Sequence, residues 1–345
     1  MKPQQLLPLV ALLASPAFAA IRYYQVDETF VGDSFLDGFE HEDFADPTHG
    51  RVNYVDECTA LDKNLTYVSK DTFIMRADYK TVLDPNGPGR DTVRVSSRKQ
   101  YGYSMLVLDI RHMPTGCGTW PAFWTNSNNN TWPTGGEIDI IEGVNDEGPN
   151  ASVLHTSSDH ACTQTDSSMD DRGVLVSDKC TSAVGDGAGC RVNHDTDKSY
   201  GPELNAVGGG WYAMERTSQF VNVWFWARDD ENVPDDVKDA ATLKQSAKVN
   251  PDAWGQPQAN FVSSNTCDLD AAIKPQNIII NLSLCGDWAG NAYPSTCPST
   301  CVDHVNNDPA AFKDAYWDIA SLTILSPTSS GASKRHHHSH KRNYF

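Results

Sequence analysis

Apolar and β-branched residues in this chain fall into short runs cut apart by clusters of Gly, Pro, Asn and Asp, and that punctuation limits the possible fold more than any other feature. The runs Thr92–Ser97, Ser104–Arg111, Glu137–Glu142, Ser152–Thr156, Trp211–Thr217, Phe220–Arg228, Asn277–Leu284 and Tyr316–Leu325 all have strand composition. Alternation is clearest in FVNVWFWAR. There Val221, Val223, Phe225 and Ala227 share one face, while Phe220, Asn222, Trp224, Trp226 and Arg228 share the other. Helical patterns are short and confined to Asp235–Gln245 and Pro309–Ala315. No internal repeat and no Gly/Ser linker divides residues 20–326. Frequent strands without alternating helices predict one all-β domain, a sandwich or barrel, and disfavour a doubly wound α/β fold.

The ends differ from this body. Residues 1–19 open with Lys2 after the initiator Met, continue through apolar Leu6–Ala14 and reach the small-x-small site Ala17-Phe18-Ala19, the pattern of a secretory signal peptide. An exported chain with nine cysteines is expected to form disulfides. Four pairs would leave one cysteine over, and Cys58, isolated near the N-terminus, is the expected odd one. Spacing does not give the connectivity. Sequons at Asn64, Asn129, Asn150 and Asn281 are candidate glycosylation sites, with Asn281 the least suited because it sits in an apolar strand-like run. Residues 327–345 are polar and rich in His (His336–His338, His340), which predicts a disordered tail with neither a membrane helix nor a lipid anchor.

Charge narrows the partners. With 27 basic and 45 acidic residues the formal net charge is -18. Such a field repels phosphate backbones and anionic lipid, which argues against nucleic acid or membrane as a partner. A neutral ligand such as a sugar remains open.

The sharpest chemical signal is GGEIDIIEG at Gly135–Gly143, where Glu137, Asp139 and Glu142 interrupt an apolar strand. Alternation puts Glu137 and Asp139 on one face and Glu142 on the other. A β-bulge at Ile140-Ile141 would return Glu142 to the face of the other two. Glu137 and Glu142 would then sit like positions four apart, ~13 Å between Cα atoms at ~3.3 Å per residue. Two glutamate side chains reaching towards each other would close that to a gap of ~5 Å, the range of ~5–5.5 Å that retaining glycosidases use. Close like charges also favour one carboxyl keeping its proton, which suits a pair working as nucleophile and acid. The alternatives for the acids are a solvated edge strand or a calcium site.

The text around those acids resembles a known family. Glu137-Ile138-Asp139-Ile140-Ile141-Glu142 looks like the E-x-D-x-x-E signature of glycoside hydrolase family 16. GCGTWPAFW (Gly116–Trp124), WPTGGEIDIIEGVN (Trp132–Asn145), LHTS (Leu154–Ser157), WFWAR (Trp224–Arg228) and NLSLCGDWAG (Asn281–Gly290) resemble fungal endo-β-1,3(4)-glucanases of the laminarinase type, and the similarity runs from about Tyr23 to Leu325. The resemblance implies a β-jelly-roll sandwich of two antiparallel sheets with a concave substrate cleft. It implies Glu137 as nucleophile, Glu142 as general acid/base and Asp139 tuning both, in retaining hydrolysis of β-1,3 or mixed β-1,3/1,4 glucans. By the same resemblance Trp120 and Trp124 would line the glycone side of the cleft, and Asp287 and Trp288 would belong to a cleft loop. Arg94 could hydrogen-bond sugar hydroxyls, and His155 follows the acidic strand. Trp211, Trp224, Trp226 and Trp317 are read as structural. No cofactor and no metal is expected, and the chain is expected to act as a secreted monomer on β-glucan. A cell-wall transglycosylase using the same intermediate, and a non-catalytic glucan-binding lectin on the same fold, are the rival readings.

Overall fold

The computed structural model describes residues 22–328 apart from 129, 167–168 and 184–187. The expected signal peptide, the sequon at Asn129 and all but the first two residues of the expected tail therefore lie outside the described residues. Two eight-stranded antiparallel sheets stack face to face as a β-jelly-roll sandwich. The front sheet runs, edge to edge, Val174–Ser177, Cys190–Asn193, Ala151–His155, Glu137–Glu142, Thr119–Asn126, Asn277–Leu284, Arg94–Ser97 and Phe39–His41. The back sheet runs Ala259–Val262, Phe220–Ala227, Gly210–Arg216, Ser104–His112, Tyr316–Pro327, Thr72–Arg76 and Thr66–Ser69, and Tyr24–Phe30 also pairs with Tyr316–Pro327.

The main core lies between the sheets. Ile138, Ile140, Ile141, Ile278 and Ile280 of the front sheet meet Leu106, Leu108, Ile110, Tyr212, Met214 and Phe225 of the back sheet. Each such side chain contributes roughly 1.5–3 kcal/mol by leaving water. The two faces of Phe220–Ala227 separate as the alternation predicts. Val221, Val223, Phe225 and Ala227 enter this core, whereas Trp224 and Trp226 join Trp211, Val237 and Trp254 in a second cluster behind the back sheet. Trp254 meets Trp224 and Trp226 edge-on at 5.5 and 5.8 Å. Trp317 is fully buried in the main core.

Two expected helices shrink. The α-helix starting at Asp235 stops at Lys238 and is followed by a 3-10 turn at Ala240–Thr242; at Pro309 there is only a 3-10 turn, to Phe312. One turn is enough to dock Val237 and Ala240 on the tryptophan cluster, so no longer amphipathic face is needed. The run Thr92–Ser97 is two strands: Arg90–Thr92 pairs in parallel with Val52–Tyr54, and Arg94–Ser97 enters the front sheet. Disulfides join Cys117–Cys297, Cys162–Cys267, Cys180–Cys190 and Cys285–Cys301, leaving Cys58 unpaired and exposed, as expected. Among the described residues no helix is long and apolar enough to cross a membrane.

Candidate active site

The acidic strand contains the expected bulge. Against Thr119–Asn126, Glu137 faces Asn126, Ile138 faces Thr125, Asp139 faces Trp124, Ile141 faces Phe123 and Glu142 faces Ala122, so Ile140 has no rung of its own. Six residues thus span five rungs. All three isoleucines enter the core, and Glu137, Asp139 and Glu142 come out together on the opposite face of the front sheet.

A bulge frees backbone groups, and here one side chain takes them. Asn150 Oδ1 accepts from the Glu142 N–H at 3.0 Å, and Asn150 Nδ2 donates to the Ile140 carbonyl at 2.9 Å. The same Nδ2 lies 3.2 Å from His194 Nε2. Asn150 is 0 % exposed, so a glycan on it is incompatible with this fold, and the expectation drawn from its sequon is corrected. Asn281 is also buried. It accepts from Trp124 Nε1 at 2.7 Å through Oδ1, while its carbonyl accepts from Trp317 Nε1, so this sequon too belongs to the packed sheet. Asn64 is the sequon on an exposed turn, at φ 56°.

Each outer acid has an indole donor. Trp132 Nε1 donates to Glu137 Oε2 and Trp120 Nε1 donates to Glu142 Oε1, both at 2.9 Å. Sequence reasoning gave Trp132 no role. Its only signal is its place in the Gly-rich turn leading into the acidic strand. His155 pairs with Glu137 across the sheet, and its Nε2 lies 3.1 Å from Asp139 Oδ2 and 3.7 Å from Glu137 Oε1. Its Nδ1 lies 2.8 Å from Ser182 Oγ. Glu137, Asp139 and His155 are the described residues that could together hold a metal ion.

Burial dominates the electrostatics. It pushes all three carboxyls well above the usual carboxylate range, and the Asp139 charge adds to this for Glu137 and Glu142. Glu142 is pushed up to about 7, held back by the Trp120 hydrogen bond and by His155 and Arg191. The Trp132 hydrogen bond and His155 favour the charged form of Glu137, while for Asp139 Arg191 is the one opposing influence. The cluster therefore keeps at least one proton near neutral pH.

An arginine lies over an indole on each side of the acidic strand. On one side the Arg94 guanidinium lies 5.0 Å from the Trp124 ring and 5.1 Å from that of Phe44, and Arg94 Nε donates to Glu42 Oε2 at 2.6 Å. Arg94 thus lies beside Trp124 with its guanidinium engaged by Glu42. On the other side Arg191 lies 5.3 Å from the Trp288 ring, which meets Trp120 edge-on at 5.6 Å. Asp287 points outward and pairs with exposed His49 at 2.8 Å, so of the two loop residues only Trp288 reaches the acids' neighbourhood. Arg191, Glu42 and Phe44 have no sequence signal, because their places depend on sheet order. A polar hollow of about 350 Å³ lined by Arg172, Lys198, Asp229, Asp230 and Glu231 lies elsewhere; Lys198 pairs with Asp229 within it and Arg172 with Asp195.

Residues 39–325 match the family model described as XgeA-like, catalytic GH16 domain. A probable endo-1,3(4)-β-glucanase of Aspergillus fumigatus is 43% identical over 323 residues, 90% of this chain and 46% of that relative. The chain thus spans about half the length of the first of the curated relatives it matches. Laminarinase 16A of Phanerochaete chrysosporium, solved with β-glucans in donor and acceptor sites, aligns with a TM-score of 0.83 at 50% identity, covering 88% of this chain and 100% of that one. An elongating GH family 16 β-1,3-glucosyltransferase aligns with a TM-score of 0.79 at 35% identity, covering 88% and 100%.

Proposed function

The chain belongs to glycoside hydrolase family 16, and from that membership we propose that it is a secreted endo-β-glucanase cleaving β-1,3 and mixed β-1,3/1,4 glucans with retention. The observation that carries the reading is the bulge at Ile140, which puts Glu137 and Glu142 on one face with a separate indole donor for each.

In the first step the Glu137 carboxylate attacks the anomeric carbon while the Glu142 carboxyl protonates the departing glycosidic oxygen. A glycosyl ester on Glu137 results. Glu142, now a carboxylate, takes a proton from water as that water attacks the same carbon, and Glu137 leaves with the sugar's configuration retained. Glu142, raised to about 7, is protonated at mildly acidic pH, as its first role requires. For Glu137 to attack as a carboxylate, Asp139, the least exposed of the three acids, takes the proton the pair shares, while Trp132 Nε1 and His155 favour the charged form of Glu137. Trp120, Trp124, Arg94 and Trp288 form the walls on which glucosyl units pack.

Residues 1–19 act as the export signal, residues 20–326 as the catalytic domain, and residues 327–345 as a tail. Four disulfides suit an oxidising destination. The mature chain works as a monomer, and Asn64 is the glycan acceptor among the described sequons.

The test is reducing-end release from laminarin by Glu137→Gln and Glu142→Gln variants. Losses of about a thousand-fold or more with unchanged folding are expected. Near-normal release in either variant would remove the assignment. A glucan-binding lectin would have no use for an acid and a nucleophile with separate donors, and the wild-type protein would then release no reducing ends.

A further inference from the structure

Ser182 faces one ring nitrogen of His155. In the tautomer with Nδ1–H donating to Ser182 Oγ at 2.8 Å, the Ser182 hydroxyl hydrogen is left for the Cys180 carbonyl at 3.4 Å. The other ring nitrogen, Nε2, then presents a lone pair to Asp139 Oδ2 at 3.1 Å and Glu137 Oε1 at 3.7 Å. Three acceptors facing one another repel unless a positive species lies among them. A proton on Asp139 meets that need in the resting protein. Asp139 Oδ2 is buried on a residue only 2 % exposed, and among the described residues no donor is hydrogen-bonded to it.

A larger cation fits the same place. The three ligating atoms lie within 4.8 Å of one another, and metal bonds of ~2.0–2.2 Å to imidazole and carboxylate can span them after small side-chain adjustments. The ligands are already oriented from behind, as metal ligands usually are. Ser182 holds the imidazole by its far nitrogen. Gly189 presses against the ring so closely that a Cβ there would stand 2.8 Å from its Cε1. Trp132 holds Glu137 by Oε2, leaving Oε1 turned to the cluster. One imidazole nitrogen with two carboxylate oxygens suits a zinc-like ion better than calcium, which prefers six to eight oxygens.

The geometry points to Glu137, Asp139 and His155 as a binding site for a divalent transition-metal cation of the zinc type, whose occupancy reversibly blocks the reaction. The blocking rests on the function proposed above; the binding does not. The tail imidazoles compete for the same ions, so the full chain is used with His336, His337, His338 and His340 each changed to Ala. Zinc titration by calorimetry should give one ion per chain at micromolar concentrations. His155→Asn and Asp139→Asn should each weaken it at least ten-fold in chains whose circular dichroism is native. Cobalt should give visible absorption bands that zinc abolishes, a readout that needs no variant in the cluster. Zinc should also inhibit laminarin hydrolysis competitively, with full recovery on adding EDTA. Zinc affinity unchanged in both variants, no binding below millimolar zinc, or displacement by equimolar calcium would overturn the site. If zinc binds as described and laminarin is not a substrate, the functional reading fails and the site stands.

Discussion

Asn150→Ala tests the link between the bulge and the chemistry. The side chain supplies the acceptor for the Glu142 N–H and a donor to the Ile140 carbonyl, both in the interior. The Ile140 carbonyl keeps a longer contact from Ser152 Oγ at 3.3 Å, so its loss is partial, whereas among the described residues no other side chain accepts from the Glu142 N–H. One buried donor left unpaired and one weakened bond together cost about 3 kcal/mol. At ~2 °C per kcal/mol for a domain of this size, the melting temperature should fall about 6 °C. Glu142 follows the bulge it closes. A displacement of ~1 Å of a reacting group can cost ~100-fold, so kcat on laminarin should fall by about that factor at a temperature where the variant is fully folded. KM should change little, because the sugar-packing walls are untouched. The assay is a thermal melt beside steady-state kinetics. A variant that melts like the wild type, or melts early yet turns over normally at low temperature, would refute the reasoning.

Three other outcomes follow from the same contacts. Glu142, raised from 4.5 to about 7, favours folding fully below 4.5, and that contribution is lost as pH rises through 7. Glu142→Gln should therefore raise the melting temperature at pH 8.5 by about 6 °C, from a relieved penalty of about 3 kcal/mol, and change it little at pH 4; an equal shift at both would count against a buried charge. Trp120→Phe removes the donor that holds the Glu142 proton affinity down, so the alkaline limb of kcat/KM should move to higher pH with activity reduced about ten-fold, and an unmoved limb would deny the coupling. Denatured, unreduced protein should titrate one thiol per chain and Cys58→Ser none, with no change in melting temperature; two or more thiols would contradict the disulfide set.

The sequence made the bulge legible because two demands collided in six residues. Three isoleucines needed one side of a strand and three acids the other, and only an extra residue reconciles them. The faces of Phe220–Ala227 were legible for the same reason, since strict alternation of large side chains leaves one arrangement. Thr119–Asn126 was not legible as a strand. It contains Pro121 and reads as a turn-rich block, yet it forms rungs with both Glu137–Glu142 and Asn277–Leu284. Asn150 misled because a sequon is a local pattern and burial is not. Its amide is taken by Ile140 and Glu142, whose backbone becomes available only once the bulge forms. Arg191 and Phe44 escaped because they reach the site from strands or loops brought in by sheet order, and nothing in their local sequence marks that destination.

The central claim is that Glu137 forms the bond to sugar carbon. A laminaribiosyl fluoride carrying fluorine at C2 slows both steps and lets the ester accumulate. Intact-protein mass spectrometry after incubation should show one added disaccharide per chain, and peptide mapping should place it on Glu137. An adduct on Glu142 or Asp139, or none from a preparation that hydrolyses laminarin, would contradict the account.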